Sequence, residues 1–328
     1  MKVLVTGGAG FIGSNLVDKL VQKDHKVIVL DNFSTGRRSN LSQHNKKNVK
    51  IIKVDISGKK SLDKYFKNID YVFHLAGLAD IVPSIEDPNK YFKSNVVGTF
   101  NVIQAAKKAK IKKFIYAASA SCYGITNKFP IKEDTKINPM YPYAFTKWQA
   151  EELIMHWAKI YNFPAISFRF FNAYGPRSRT SGAYGAVFGV FLAQKFANKP
   201  LTIVGDGKQT RDFIHVYDLV DAMILAVKKT KNCEIYNLAS GKEVSVNYIA
   251  NVISDKKVYI PKRPGEPDRS LADISKIKSE LNWKPKIDIN TGIKMLMKNI
   301  NEWKDAPVWT PETIDHVTKA WFKYLKKN

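Results

Sequence analysis

The chain has 328 residues, 45% of them hydrophobic, and a formal net charge of +24. That length suits one large globular domain or two intimately joined ones. Only eight of the 53 basic residues are arginine, the side chain that base reading and planar phosphate clamps favour, so a lysine-rich solvated surface is expected rather than a nucleic-acid partner.

No run of 18 apolar residues occurs, so no membrane partner is expected. The opening MKVLVTGG carries no h-region with a cleavage site, and a cytoplasmic location is expected. Cys122 and Cys233 give neither a disulfide framework nor zinc spacing, and the six scattered histidines pair with no second ligand, so no metal is expected.

Apolar runs and helical stretches alternate through the first half. Lys2–Thr6 reads as a buried strand and Ile12–Gln22 as a helix. Strands follow at Lys26–Asp31, Val49–Asp55 and Asp70–Ala76. A long helix is predicted over Asn89–Ala109, a fifth strand over Lys113–Ser119, a second long helix over Pro142–Tyr161 and a sixth strand over Ala165–Phe171. Apolar strands separated by segments of 3.6 period argue for an α/β fold, a Rossmann-type doubly wound parallel sheet covered on both faces.

After Asn172 the pattern loosens into the loop GPRSRTSGAYG and shorter, mixed pieces. A smaller, interleaved α/β substrate domain is expected over 172–328, lying over the sheet of a dinucleotide domain at 1–171. Strands near Phe213–Val216 and Glu234–Leu238, within a returning segment near 212–240, are expected to rejoin the first domain. The tail has Thr310 as N-cap, Pro311 at the first helical position and a stripe of Ile314, Val317, Trp321 and Leu325. Docking onto the core is expected of it, with a dimer contact or a lid on the active site as alternatives.

Two motifs carry chemistry. In VTGGAGFIG, Gly7, Gly10 and Gly13 fall three apart, after a strand and at the opening of a helix. Glycine lets the backbone turn tightly and approach a pyrophosphate, and the helix N-terminus favours the anion. Asp31 ends the next strand, 18 residues after Gly13, near the offset at which a carboxylate meets the adenosine ribose. It would repel a 2′-phosphate, so NAD is expected over NADP, although Arg37 and Arg38 lie nearby.

The second motif is YPYAFTK. Tyr143 and Lys147 are four apart and share one helix face. A neighbouring ammonium stabilises a phenolate and is expected to lower the Tyr143 pKa, making it a usable base. Tyr141 falls on another face and reads as loop packing. Ser119 ends the fifth strand, 24 residues before Tyr143, where a hydroxyl could share a hydrogen bond with the tyrosine and a substrate oxygen.

Together TGGAGFIGSNLV, DNFSTG, HLAG, NVVGTFNV, YPYAFTK, RFFNAYGP and TRDFIHVYDLVDA resemble the extended short-chain dehydrogenase/reductases, and within them the nucleotide-sugar 4-epimerases. The resemblance covers about the first 300 residues. It implies that Gly7, Gly10, Phe11, Ile12 and Gly13 hold the cofactor. Asp31, Asn32, Ser34, Thr35 and Gly36 would surround its adenosine ribose, and Asp55 and Ile56 the adenine. Leu75, Ala76, Gly77 and Asn95 would line the far side, with Lys147 on the nicotinamide ribose and Phe171 near the nicotinamide. Ser119, Tyr143 and Lys147 would be the catalytic set.

On the substrate side the resemblance implies Asn172 at a phosphate, Arg211 and Arg263 on the diphosphate, Glu266 at the nucleotide ribose and Ser270 at the sugar. Ser84, Ser119, Ser121 and Val187 complete the implied pocket. Related dehydratases place Asp–Glu directly after the strand-five hydroxyl and related decarboxylases a Glu close by. Here Ala120, Ser121 and Cys122 follow. The resemblance therefore favours C4 epimerisation of a UDP-sugar over 4,6-dehydration, decarboxylation or 4-oxidation. A protein that binds NAD and nucleotide-sugar without turnover is the reading of another class. A small residue at Ser270 leans toward N-acetylated sugars. Ala79 stands where many such enzymes carry lysine, and the tail is longer than theirs. Relatives of this kind also imply a homodimer through the two long helices.

Overall fold

The structure is a computed structural model that describes residues 1–178, 185–229 and 231–325. Six residues of the expected Gly/Ser/Arg loop, 179–184, and the last three of the tail lie outside the described residues.

Among the described residues twelve strands are present: β1 Lys2–Thr6, β2 Lys26–Asp31, β3 Val49–Lys53, β4 Tyr71–His74, β5 Lys113–Ser119, β6 Ala165–Phe170, β7 Asn172–Tyr174, β8 Leu201–Val204, β9 Thr210–His215, β10 Glu234–Leu238, β11 Glu243–Ser245 and β12 Lys257–Ile260. Seven form one sheet in the order β10-β6-β5-β4-β1-β2-β3, with every neighbouring pair parallel. In β1, Val3 and Val5 enter the core on one face and Leu4 the core on the other, all fully buried. Burial on both faces is why these strands read as unbroken apolar runs rather than alternating ones.

Strand order reverses between β1 and β4. The chain runs outward through β2 and β3, then crosses back to β4 and continues the other way. The loops leaving β1 and β4 therefore part, and a crevice opens at the carboxyl ends of the strands.

The expected helix Asn89–Ala109 is present as a helical run with a defect. Helix Pro88–Phe92 passes into a π turn at Lys93–Val97 and then into helix Gly98–Lys108. Asp87 caps the start through the Lys90 N–H at 3.0 Å. The wider turn fits one more residue than the 3.6 period allows for, and it places Asn95 inside the protein. The helix Pro142–Tyr161 begins with proline at its first position and ends at Asn162 in the left-handed conformation, where asparagine is tolerated.

Of the two strands expected to rejoin the first domain, β10 pairs with β6 at the edge of the large sheet. β9 does not. It joins β11 and β7 in a separate three-stranded sheet, while β8 and β12 form a two-stranded one. This module has its own core around Tyr174, Phe188, Phe191, Phe213, Ile249 and Trp303. The buried Asp212 carboxylate, which accepts from the N–H groups of Ser240, Gly241 and Ala272, fixes β9 to the loops beside it.

The tail helix spans Pro311–Leu325 and buries Ile314, Thr318, Trp321 and Leu325. Thr318 replaces the expected Val317 on the inner face, since its hydroxyl donates to Ile314 O at 2.8 Å and needs no water. No helix among the described residues is long and apolar enough to cross a membrane.

Candidate active site

The crevice over β1 and β4 is a cleft with a volume of about 390 Å³. At one end lies the glycine turn. Gly7 has φ +69°, and a Cβ there would fall 2.7 Å from Ala76 N; one on Gly13 would fall 2.2 Å from Gly7 O. Only glycine lets these backbone segments meet. The helix Phe11–Gln22 that follows has Gly10 as N-cap with no side-chain cap, so its first N–H groups remain for an anion.

Asp31, at the end of β2, is held by two backbone donors, Ala9 N–H at 2.9 Å and Phe33 N–H at 2.8 Å. Burial pushes its carboxyl above the ordinary range, against these two bonds. Asp55 behaves oppositely. Burial opposes ionisation, but the Ser57 hydroxyl and N–H, with Asn32, outweigh it and hold the carboxyl below the usual range. Gly36 backs this end, with Asp31 Oδ2 3.0 Å from where its Cβ would be.

At the other end, β5 delivers Ser119, whose hydroxyl is 2.8 Å from that of Ser121 and caps the short turn Ala120–Tyr123. Helix Pro142–Tyr161 delivers Tyr143 and, one turn on, Lys147. The Lys147 ammonium donates to Ala117 O and lies 4.4 Å from the centre of the Tyr116 ring. Burial brings its pKa down to about 7, with Glu151, one turn further along, opposing. Glu151 is itself clamped by the buried Arg169 and by the Ser167 hydroxyl.

The expected depression of the Tyr143 pKa is not found. Burial raises it, the Ser119 hydroxyl pulls it back, and the negative charge of Asp80 raises it further. A phenol moved out of water is disfavoured as the anion. Burial draws Lys147 toward neutrality as well.

The cleft brings together most of the residues expected at the cofactor: Gly7, Gly10, Phe11, Ile12, Gly13, Asp31, Asn32, Ser34, Thr35, Asp55, Ile56, Leu75, Ala76, Gly77, Tyr143, Lys147 and Phe171. Asn95 stands behind the wall. Its amide accepts from Leu78 N–H, donates to Leu78 O and reaches the Thr146 hydroxyl, tying the β4 loop to the helix of Tyr143. Ser119 lines the cleft and Ser121 backs it.

The other substrate residues lie outside that lining. Ser84 is fully buried with its hydroxyl on Ile81 O, Asn172 is exposed at the start of β7, and Val187 opens a helix next to the lining residues Gly185 and Ala186. Arg211, Arg263 and Glu266 gather instead around Tyr141, whose ring stacks on Tyr143 at 6.2 Å and 10°. Burial raises the Tyr141 phenol and lowers the Arg211 guanidinium, and each feels Glu266. Ser270 N–H is held by Thr210 O at 3.1 Å, beside Arg211 on β9. Arg269 is engaged by Glu243 through two nitrogens.

Sequence reasoning missed Asp80 and Arg177 in the lining. Asp80 stood four residues beyond HLA at the end of β4, where proximity to the strand end could have marked it. Arg177 sits at φ +62° and pairs with Asp18 across the fold, a contact no periodicity foretells.

A parallel sheet with this glycine turn, a carboxylate on the next strand and a Ser-Tyr-Lys set at the strand-five end defines a dinucleotide-dependent enzyme. The groups fit NAD: the turn admits a pyrophosphate where any Cβ would block it, and Asp31 offers a carboxylate rather than a phosphate site. The profile of the NAD dependent epimerase/dehydratase family matches residues 3–239, and the chain belongs to that family. It is 38% identical over 310 residues to a putative UDP-glucose 4-epimerase of Methanocaldococcus jannaschii, covering 91% of this chain and 99% of that one. A UDP-N-acetylglucosamine 4-epimerase from Methanobrevibacter ruminantium, solved with UDP-N-acetylmuramic acid, matches with TM-score 0.85 at 36% identity, over 91% of this chain and 98% of that one. A UDP-glucuronic acid decarboxylase of Arabidopsis thaliana is 33% identical over 92% of this chain and 69% of its own length.

Proposed function

We propose that the protein inverts C4 of a UDP-sugar through a 4-keto intermediate, acting on UDP-N-acetylglucosamine and UDP-N-acetylgalactosamine, on UDP-glucose and UDP-galactose, or on both pairs. NAD, when bound, supplies the acceptor and the returning donor of the C4 hydrogen. The glycine turn and the helix N-terminus hold its phosphates, and Asp31 its adenosine ribose. Tyr143 Oη, in its phenolate form, takes the proton of the C4 hydroxyl, with Ser119 donating to the same oxygen. Lys147 fixes the cofactor's second ribose beside it. After the ketone turns over, Tyr143 returns the proton on the other face. Arg211 and Arg263 hold the diphosphate by charge-assisted bonds and Glu266 the nucleotide ribose, so the sugar can rotate while its anchor stays.

The observation that carries this reading is the β5 turn. It offers hydroxyls, Ser119 and Ser121, and contributes no carboxylate of its own. Epimerisation needs one acid/base group; loss of water from C6 or of carbon dioxide needs more. The test is incubation with UDP-glucose, UDP-N-acetylglucosamine and UDP-glucuronate without added cofactor, followed by NMR of the products. C4 epimers support the reading; a C6-deoxy or decarboxylated product overturns it.

Asp80 favours a second reading. It lines the cleft and its charge acts on Tyr143, so a carboxylate for dehydratase or decarboxylase chemistry could come from the β4 loop instead of the β5 turn. The same spectra separate the two.

We also propose a homodimer through the helices Gly98–Lys108 and Pro142–Tyr161, which leave Phe100, Phe145, Ile160 and Tyr161 exposed. Light scattering should give twice the 37.2 kDa chain mass; a monomer at micromolar concentration would refute it.

A further inference from the structure

The tail helix ends on the loop that carries Arg263 and Glu266. Trp321 is buried, and its indole N–H donates to Pro264 O at 2.6 Å. The Arg263 guanidinium lies over the same ring, 5.2 Å from its centre. Leu325, one turn later, covers Gly265, with its side chain 3.7 Å from where a Cβ on that glycine would be. Gly265 has φ +70°, so the backbone folds under the tail where a side chain would be strained.

The other side of the tail reaches the catalytic loops. Trp321 and Leu325 form a small core with Val82, against which Ile81, Ile85 and Tyr141 pack. Val82 belongs to the short helix Ile81–Glu86, directly after the lining residues Leu78, Ala79 and Asp80. Tyr141 stacks on Tyr143. The tail around Trp321 thus meets the loop of Arg263, the helix that follows Asp80 and the segment leading to Tyr143, three pieces of chain that are far apart in sequence.

We propose that Trp321 is a positioning residue for sugar-nucleotide binding: it orients Arg263 toward the substrate diphosphate and fixes the Arg263–Glu266 loop at the edge of the catalytic cleft. A guanidinium on a flexible loop must be ordered when it binds, and a ring already stacked beneath it reduces that cost. The tail is part of the substrate site rather than an appendage docked on a distant core.

The inference rests on the UDP-sugar reading, and the experiment separates the two. UDP binding is measured by calorimetry on the full chain, alongside NAD content and the KM and kcat for the active UDP-sugar. Trp321→Ala should weaken UDP binding and raise KM by about tenfold, with NAD content and kcat within twofold of the native values. Trp321→Phe keeps a ring under Arg263 and loses only the bond to Pro264 O, so it should recover most of the binding. UDP binding by Trp321→Ala as tight as by the native chain overturns the inference alone. A native chain that does not bind UDP overturns the substrate reading and the inference with it. Should Trp321→Ala lose its NAD or unfold, Trp321→Phe decides: a folded Phe variant with the same loss of UDP binding as Arg263→Ala would sink the role given to the ring.

Discussion

The two ends of the cleft are built differently. At the cofactor end, Gly7, Gly10, Gly13 and Asp31 come from the turn after β1, the first turn of the helix Phe11–Gln22 and the end of the neighbouring strand β2, and the backbone itself sets their positions. At the end proposed for the sugar-nucleotide, Arg211, Arg263, Glu266 and Trp321 come from a small sheet, a loop and the tail, and side chains hold them to one another. A rigid end suits a cofactor that is kept through every cycle. An end assembled from loops suits a substrate that must enter, turn and leave.

Tyr143 stands where the ends meet, and removing its hydroxyl gives the largest effect. Tyr143→Phe should lower kcat by about 10²–10⁴-fold, the usual worth of a general acid/base, and leave NAD and UDP binding unchanged. Full turnover in that variant would refute the base assignment. Loss of either ligand would show that the ends are coupled through the Tyr141–Tyr143 stack.

Lys147 tests the rigid end through pH. In the unfolded chain it titrates near the ordinary 10.5, in the fold near 7. Between these values the unfolded chain carries the extra proton, so native stability rises with pH across that window, and the burden of burying the charge is greatest below it. Lys147→Met should lose most turnover and also lose this rise. Melting curves of the two proteins between pH 7 and 10 check it; parallel pH profiles would mean that the amine is not desolvated.

The same contrast governs what could be read in advance. β1, β2, β5 and the helix Pro142–Tyr161 have the bounds their apolar patterns and capping residues indicate. The glycine turn and Asp31 were legible because a fixed spacing on regular elements implies a fixed geometry. The π turn at Lys93–Val97 was not, since one extra residue in a turn leaves hydrophobic spacing almost unaltered. Nor was the sheet membership of β9, because a short strand before a helix reads alike in either module. The direction of the Tyr143 shift was hidden for another reason. Spacing showed a lysine nearby, but the sign depends on how far both groups are withdrawn from water.

The smallest effect is the sharpest test of whether the assembled end is a unit of its own. Thr310 Oγ1 accepts from Thr313 N–H at 3.3 Å, and Thr313 Oγ1 accepts from Thr310 N–H at 2.8 Å, closing the start of the tail helix from both sides. Thr310→Ala removes one half of this cap, a change worth about 1 kcal/mol. Local opening of the tail should then be about fivefold more frequent, read as faster hydrogen exchange at amides from Ile314 to Leu325. Amides of β1 and β4 should keep their native rates, because the tail meets the protein through the Trp321 contacts and not through the sheet. Thr310→Ser should restore the slow exchange. If the sheet amides accelerate in step with the tail, the helix Pro311–Leu325 belongs to the same cooperative unit as the dinucleotide fold, and the division between a rigid and an assembled end fails.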